Sequence, residues 1–137
     1  MKIQLDPGAK IPTKAYDTDA GYDLYAMEQQ LVPAKGSAVF NTGVHIELPK
    51  GTAAVIISKS GLNILSDITS TGLVDAGYTG AIRVKLYNHG ERDLWVYKHE
   101  KISQFMVVPV VDETLEIAES IEGGERGNNG FGSTGRA

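Results

Sequence analysis

Short segments in which apolar and polar residues alternate recur along this chain and predict β-strands. In residues 44–48 every second side chain is apolar, which is the pattern of a strand with one buried face. Residues 81–87 alternate in the same way, and residues 52–57 are rich in β-branched side chains. Glycine or proline follows several of these segments and predicts turns between the strands.

Further strands are predicted at residues 94–97 and 102–111. The uninterrupted apolar run Phe105–Val111 indicates a strand that is covered on both faces. The one helical candidate is a short turn that begins near Ser60. Many short strands separated by turns are typical of a sandwich or barrel, so we expect an all-β fold.

Composition narrows the function classes. The chain has 137 residues, about the length of one domain, and no cysteine, which excludes disulfides and a thiol nucleophile. The net charge of −4 argues against non-specific binding to nucleic acid. No run approaches the roughly 18 apolar residues of a membrane span, and no signal-peptide core is present. We therefore expect a cytoplasmic protein with neither membrane nor nucleic acid as a partner.

The composition changes after residue 122. Six of the thirteen residues from 123 to 135 are glycine, so we expect a β domain at 1–122 and a mobile C-terminal arm at 123–137. The arm nevertheless carries Arg126, Phe131, Ser133 and Thr134. Arginine and the hydroxyls suit phosphate, and phenylalanine offers a flat face to a base. The alternative is a disordered terminus without a function.

Asp75 and Tyr78 lie in a glycine-bracketed turn, residues 72–80. A carboxylate held there between two strands could act as a general base, and the tyrosine could pack against a sugar. The alternative is an aspartate that only forms the turn by bonding its own backbone.

Two other polar groups are candidates. Asp19 and Asp23 could lie on one side of a strand and hold a hard cation directly or through water; alternatively, both are solvated loop acids. Ser58–Gly61 precedes the helical turn and suits an anion, or simply caps the helix. The three histidines lack metal-ligand spacing, and we expect each to lie on the surface or in a loop.

In this order, these segments resemble the homotrimeric dUTP diphosphatase (dUTPase) family, from Pro12 to Gly135. The third and fifth of the family's five motifs are highly specific, and the others are moderately so. The five matching segments are Ala20–Ala26, Ser58–Leu62, Gly72–Gly80, Lys101–Gln104 and Arg126–Gly135.

The resemblance implies a jelly-roll-like trimer that hydrolyses dUTP to dUMP and diphosphate, which keeps uracil out of DNA and supplies dUMP for thymidylate synthesis. It makes Asp75 the base that activates the attacking water, and it places Tyr78 beneath the deoxyribose. It implies Mg²⁺ on the triphosphate, with Asp23 holding the coordinated waters. Phe131 of the arm would cover the uracil in another subunit's site.

The resemblance also implies a wider set of substrate contacts. Residues 69–73 would read uracil, largely through backbone groups, while Ser60, Gln104 and the arm would contact the phosphates. The full set of substrate-binding residues implied is Lys59, Ser60, Gly61, Thr69, Gly72, Leu73, Tyr78, Gln104, Arg126, Phe131, Gly132, Ser133 and Thr134.

Three positions depart from the family pattern. Lys59 stands where arginine is usual and cannot make a bidentate contact with phosphate. Asn129 replaces a glycine, although asparagine tolerates positive φ, and Thr69 replaces a common asparagine. Two other functions stay open: a regulatory dUTP-binding trimer with little turnover, and a dCTP deaminase-like enzyme. The second lacks the glutamate base that it would need in residues 69–80.

Overall fold

The computed structural model describes residues 1–137 and contains one short helix among eleven strands. The helix is α1 (Ser60–Ser66). The strands are β1 (Lys2–Leu5), β2 (Tyr22–Tyr25), β3 (Gln30–Val32), β4 (Ser37–Asn41), β5 (Val44–Glu47), β6 (Thr52–Ile57), β7 (Ile68–Thr69), β8 (Thr71–Asp75), β9 (Arg83–Asn88), β10 (Leu94–Val96) and β11 (Lys101–Pro109).

Two larger sheets enclose the core. One has the strand order β2-β11-β6-β8 and the other β4-β9-β7, while β1-β5 and β10-β3 form two-stranded sheets. Every pairing between these strands is antiparallel. Apolar side chains from both larger sheets belong to one buried cluster, which includes Leu24, Ile56, Phe105, Phe40 and Leu86. The two sheets therefore pack face to face, as in a sandwich.

The local pattern predicted β5, β6, β9, β10 and β11, and it did not predict β1, β3 or β7. The predicted strand at residues 52–57 is β6, and the predicted strands at 44–48 and 81–87 overlap β5 and β9. In β9, Val84 and Leu86 are buried while the residues between them are exposed, as the alternation requires. The predicted helical turn near Ser60 is α1. The expectation of an all-β fold with one short helix is confirmed.

The expectation that Phe105–Val111 is covered on both faces is wrong for the single chain. Phe105 is buried, but Val107 is 37% exposed and Val111 is 81% exposed. The strand itself ends at Pro109. Burial of β11 therefore decreases toward its end: Val107 and Pro109 are exposed although they share a face with Phe105, and Met106 and Val108 on the other face are half-buried.

The residues that follow β11 are exposed along their whole length. Val110 donates a backbone hydrogen bond to the Gly51 carbonyl, and residues 111–137 are all exposed. The division into a β domain at 1–122 and a mobile arm at 123–137 stays a prediction, since the exposed segment includes residues on both sides of it. No helix is long and apolar enough to cross a membrane.

Candidate active site

Polar segments that are far apart in the sequence lie next to each other in the four-stranded sheet. Asp23 of β2 pairs with Gln104 of β11, Gln104 pairs with Ile57 of β6, and Ile57 pairs with Thr71 of β8. These four residues form one row across the sheet. Ser58–Ser60 continue from the end of β6, so this row brings three of the candidate segments to one edge.

A cavity of about 320 Å³ opens at this edge. We call it the lysine cavity; its polar lining includes Asp23, Lys59, Ser60, Lys101 and Gln104. Asp19 also contributes to the wall, but it lies in a turn rather than on a strand and accepts a hydrogen bond from the Tyr16 amide. The structure thus brings Asp23, Lys59, Ser60 and Gln104 together.

Asp23 is the electrostatic centre of the lysine cavity. Its carboxylate is buried, and Lys59 Nζ lies 2.5 Å from one oxygen while Lys101 Nζ lies 2.8 Å from the other. Burial opposes ionisation of the carboxyl, but the hydrogen bonds and charges of Lys101 and Lys59 outweigh it and lower the pKa of Asp23. The same contact raises the pKa of Lys101. The cavity therefore holds two ammonium groups and an ionised carboxylate.

Hydrogen bonds fix the turn that carries Lys59 and Ser60. The Ser58 hydroxyl accepts from the Ser70 amide at 2.9 Å, and the Gln104 side-chain amide donates to the Ser58 carbonyl at 3.0 Å. Buried Ser103 donates to the Ile57 carbonyl and bonds the Ser70 hydroxyl. Gln104 therefore positions the turn before α1 as well as facing the cavity.

A second cavity, of about 280 Å³, lies at the other end of β8. We call it the hairpin cavity; its lining includes Gly72, Leu73, Asp75 and Tyr78. Asp75 is exposed, and Tyr78 donates its hydroxyl to the Ala81 carbonyl at 3.0 Å. Leu73 is 67% exposed, which leaves an apolar surface beside a free carboxylate. This combination suits a flat ring next to a group that can accept a proton.

The two cavities are separate in one chain. Asp75 pairs with Ala53 at the far end of β6, whereas Thr71 pairs with Ile57 at the end near Lys59. Asp75 lies four positions beyond Thr71 along β8, or about 13 Å at the usual rise per residue. The cavities share no lining residue. Asp75 and the lysines of the same chain therefore do not converge on one reacting atom.

Several predicted residues lie outside both cavities. The Thr69 hydroxyl is 2.7 Å from His89 Nε2, and Gly61 lies exposed in α1. In the arm, Arg126 donates to the Ser133 hydroxyl at 2.8 Å, and Phe131 is fully exposed. Gly132 and Thr134 are also exposed. Asn129 is not among the residues with positive φ, so tolerance of that conformation is not required there.

The residues of the lysine cavity fit a hydrated Mg²⁺ that also binds phosphate. No group of three or more histidine and acidic residues is present to enclose a metal ion. Mg²⁺ normally needs only one or two carboxylates, with water and phosphate oxygens completing its shell. The lysines use two of the roughly four lone-pair positions on the Asp23 carboxylate, so the carboxylate can still accept hydrogen bonds from metal-bound water.

Sequence reasoning missed two residues near these cavities. Lys101 is the first residue of the fourth motif. Its ion pair with Asp23 depends on the contact between β2 and β11, and no local sequence pattern indicates it. His45 is not simply a surface histidine, since it is partly buried between Asp6 and Thr79. Its place in an alternating strand indicated only that it faces away from the core.

Comparison with known proteins gives a consistent result. The family model described as dUTPase matches residues 8–135. The chain is 37% identical to the deoxyuridine 5'-triphosphate nucleotidohydrolase of Kluyveromyces lactis, over 99% of this chain and 94% of that protein. It is 40% identical to the enzyme of the same name from Clostridioides difficile, over 98% of this chain and 97% of that protein.

Solved structures show the same fold. Staphylococcus bacteriophage 80alpha dUTPase with dUpNHpp matches with a TM-score of 0.88 and 28% identity, over 98% of each chain. A dUTPase from phage phi11 of S. aureus, whose structure describes a structural Mg(II) ion, matches with a TM-score of 0.80 and 23% identity, over 87% of this chain and 96% of that one. These matches confirm the jelly-roll-like architecture. Since the family model spans nearly the whole chain, the protein belongs to the dUTPase family.

Proposed function

We propose that this protein hydrolyses dUTP to dUMP and diphosphate. The observation that carries the proposal is that one sheet holds two separate half-sites, the hairpin cavity and the lysine cavity. The hairpin cavity offers an apolar surface and a free carboxylate, and the lysine cavity offers cationic groups and hydroxyl and amide donors. A nucleotide needs both kinds of surface. The membership of the chain in the dUTPase family and the names of its relatives support uracil and deoxyribose as the base and sugar.

Asp75 is the proposed general base. It accepts a proton from a water molecule as that water attacks the α-phosphorus; the new P–O bond forms while the bond from the α-phosphorus to the bridging oxygen breaks, and diphosphate leaves. No covalent enzyme intermediate is needed, which agrees with the absence of cysteine. The exposed position of Asp75 beside the hairpin cavity leaves room for the water.

The lysine cavity is the proposed site for the phosphate chain. Lys59 and Lys101 supply positive charge, and Ser60 supplies a hydroxyl donor near the bond that breaks. Asp23 holds both lysines in place by its ion pairs, so the ammonium groups are oriented before substrate arrives. An ammonium is a point charge, and two of them together can replace the bidentate contact that an arginine at position 59 would make.

The hairpin cavity is the proposed site for the nucleoside. Gly72 and Leu73, which line this cavity, read the uracil together with the backbone of residues 69–71 just outside it, and Tyr78 packs beneath the deoxyribose. A 2′-hydroxyl would meet the Tyr78 ring, so ribonucleotides are excluded. Thr69 acts here through its backbone, because its hydroxyl already bonds His89.

Mg²⁺ is the proposed cofactor. Asp23 would hold its coordinated waters, and the phosphate oxygens of the substrate would supply the remaining ligands. When bound, the ion neutralises charge on the triphosphate and polarises the phosphoryl oxygens.

A homotrimer with shared sites is the proposed assembly. The separation of about 13 Å along β8 between Asp75 and Thr71, which lies at the end near Lys59, supports a site built from half-sites of different subunits. The exposed side chains of Val107, Val110 and Val111 supply apolar surface for such contacts, as do those of Leu115, Ile117 and Ile121. The arm, residues 123–137, then closes over a neighbour's site. There Phe131 stacks on uracil, Gly132 permits the close approach, and Arg126, Ser133 and Thr134 bind the terminal phosphate.

Product analysis tests this function. The protein is mixed with Mg²⁺ and, in parallel, dUTP, dCTP, dTTP or UTP. Conversion of dUTP alone to dUMP and diphosphate is the expected result. Release of ammonia from dCTP would indicate a deaminase instead, and binding of dUTP without turnover would indicate a regulatory protein.

A further inference from the structure

His45 is held between two hydrogen-bond acceptors. It lies in the middle of β5, pointing away from the core side on which Val44 and Ile46 are buried. Its Nδ1 lies 2.8 Å from the Thr79 carbonyl oxygen and its Nε2 lies 2.9 Å from a carboxylate oxygen of Asp6. A carbonyl and an ionised carboxylate can only accept hydrogen bonds, so both ring nitrogens must donate. A neutral imidazole has one N–H, so both contacts are hydrogen bonds only when the ring is the imidazolium ion.

The contact with Thr79 reaches the hairpin that carries Tyr78. Within residues 76–80, the other hydrogen bonds are local: the Tyr78 amide donates to the Asp75 carbonyl, and the Tyr78 hydroxyl donates to the Ala81 carbonyl. Only the bond from His45 joins this segment to a distant part of the chain. Beyond it, the Ile82 amide donates to the Val44 carbonyl, which places the hairpin alongside β5.

We propose that protonated His45 is a positioning residue, which fixes the Tyr78 hairpin through the Thr79 carbonyl and so couples binding of the deoxynucleoside to pH. This inference rests on the proposed function, because Tyr78 matters only if it contacts the sugar. Loss of the proton leaves a single N–H, which stays on the nitrogen facing Asp6 because a carboxylate is the stronger acceptor. The lone pair of Nδ1 then faces the Thr79 oxygen, and the hairpin loses its anchor.

The charges around His45 favour the proton. The bond to the Thr79 carbonyl and then the contact with Asp6 raise the pKa of His45 above its usual value. His45 and Thr79 also line a further surface cavity. The other charged groups of that cavity are Lys2 and Glu47, which pair with each other at 3.6 Å. Their charges oppose one another, so Asp6 is the unbalanced charge that faces the ring. The surroundings of the ring therefore favour its protonated form.

Two substitutions of His45 separate its contacts. His45→Gln keeps an amide donor near the position of Nε2, toward Asp6, and removes the donor to Thr79. His45→Asn keeps a donor near the position of Nδ1, toward Thr79. We expect KM for dUTP at pH 7 to rise about tenfold in His45→Gln, the usual effect of one charge-assisted hydrogen bond, with kcat little changed. His45→Asn should recover most of this loss. An equal effect of the two substitutions would overturn the role of Thr79.

The pH profile gives a second test, with Asp6→Asn as the variant. Wild-type KM should rise as the pH increases through the pKa of His45. In Asp6→Asn the new side-chain amide can donate a hydrogen bond to Nε2 of neutral His45. The single N–H of the ring then lies on Nδ1 and still donates to the Thr79 carbonyl, so the rise of KM with pH should disappear. His99→Asn is the control, because His99 also bonds a loop carbonyl, that of Gly8, but lies away from the hairpin. Persistence of the wild-type profile in Asp6→Asn would overturn the proposal.

Hydrogen exchange of the Tyr78 amide follows the hairpin without substrate. We expect faster exchange in His45→Gln than in wild type or His99→Asn, after correction for intrinsic rates at the same pH. If the wild-type protein failed to hydrolyse dUTP, the proposed function would be wrong, and this measurement would still decide whether His45 orders the hairpin. Unchanged protection of Tyr78 together with unchanged KM in His45→Gln would contradict the inference.

Discussion

The side chain of Gln104 lies directly over the backbone of Gly21. A Cβ atom on Gly21 would come within 2.6 Å of Gln104 Oε1 and within 3.3 Å of Gln104 Cβ. The fourth motif therefore requires the glycine of the first, because any side chain at position 21 would displace the amide that supports the Ser58 carbonyl.

Replacing Gly21 by alanine should disturb the lysine cavity and leave the core intact. We expect Gly21→Ala to raise KM for dUTP about tenfold, the cost of one lost and one misplaced hydrogen bond. Steady-state kinetics of the single variants and of Gly21→Ala with Gln104→Ala measure the coupling. Because Gln104→Ala removes the clashing amide, Gly21→Ala should cost little more in that background. Additive losses in the double variant would show that the contact with Gln104 is not the cause.

Asp75→Asn should separate binding from turnover. The amide cannot accept the proton of the attacking water, so we expect kcat to fall by at least about 100-fold. Binding of the analogue dUpNHpp, measured by calorimetry, should stay close to wild type. Asp112→Asn, an exposed acid after β11, is the matched control. Turnover near the wild-type rate would remove Asp75 from the mechanism.

Asp23→Asn should destabilise the fold. The substitution leaves Lys59 and Lys101 close together without the carboxylate that joins them. Both lysines are partly exposed and water takes up part of the loss, so we expect unfolding free energy to fall by about 2 kcal/mol. Urea denaturation at neutral pH, with Asp112→Asn alongside, measures the difference. Equal midpoints for the two variants would mean that Asp23 contributes nothing to folding.

The stability of the protein should depend on pH through His45. Its pKa is raised in the folded state, so the stabilisation is fully present below the unfolded value of 6.5 and is lost as the pH rises through the folded pKa. Denaturation midpoints of wild type should therefore fall relative to those of His45→Gln over this range. His99→Asn should follow the wild type. Parallel curves for wild type and His45→Gln would exclude the titration of His45 as the source.

Local pattern was enough to predict the regular strands. In β9, Val84 and Leu86 alternate with polar residues, and β6 is rich in β-branched ones, so each strand carries its own signal. The short β8 has no such signal because Gly72 interrupts it and Leu73 is apolar but exposed. Its position follows from its pairing with β6, which only the folded chain shows.

Individual residues of the site were predicted from the sequence, but their arrangement in space was not. Motif order pointed to Asp23, Lys59, Gln104 and Asp75, but nothing local indicates that one chain keeps Asp75 apart from the other three. The ion pair between Asp23 and Lys101 joins neighbouring strands that are far apart in sequence. Likewise, the apolar run after Phe105 indicates burial, although Val107 and Val111 are exposed in the single chain.

The most direct test of a shared dUTP site combines two inactive variants. One carries Asp75→Asn, and the other lacks the arm, residues 123–137. Differently tagged chains are co-expressed, and complexes that hold both are purified and assayed for dUMP formation. Homogeneous preparations of each variant and of wild type are the references.

In a trimer that holds both variants, whichever is in excess, one of the three shared sites combines an intact hairpin with an intact arm, so we expect about a third of wild-type activity. Neither variant alone should approach this value. Activity no greater than the sum of the two separate variants would contradict the account, since each site would then be built within one chain.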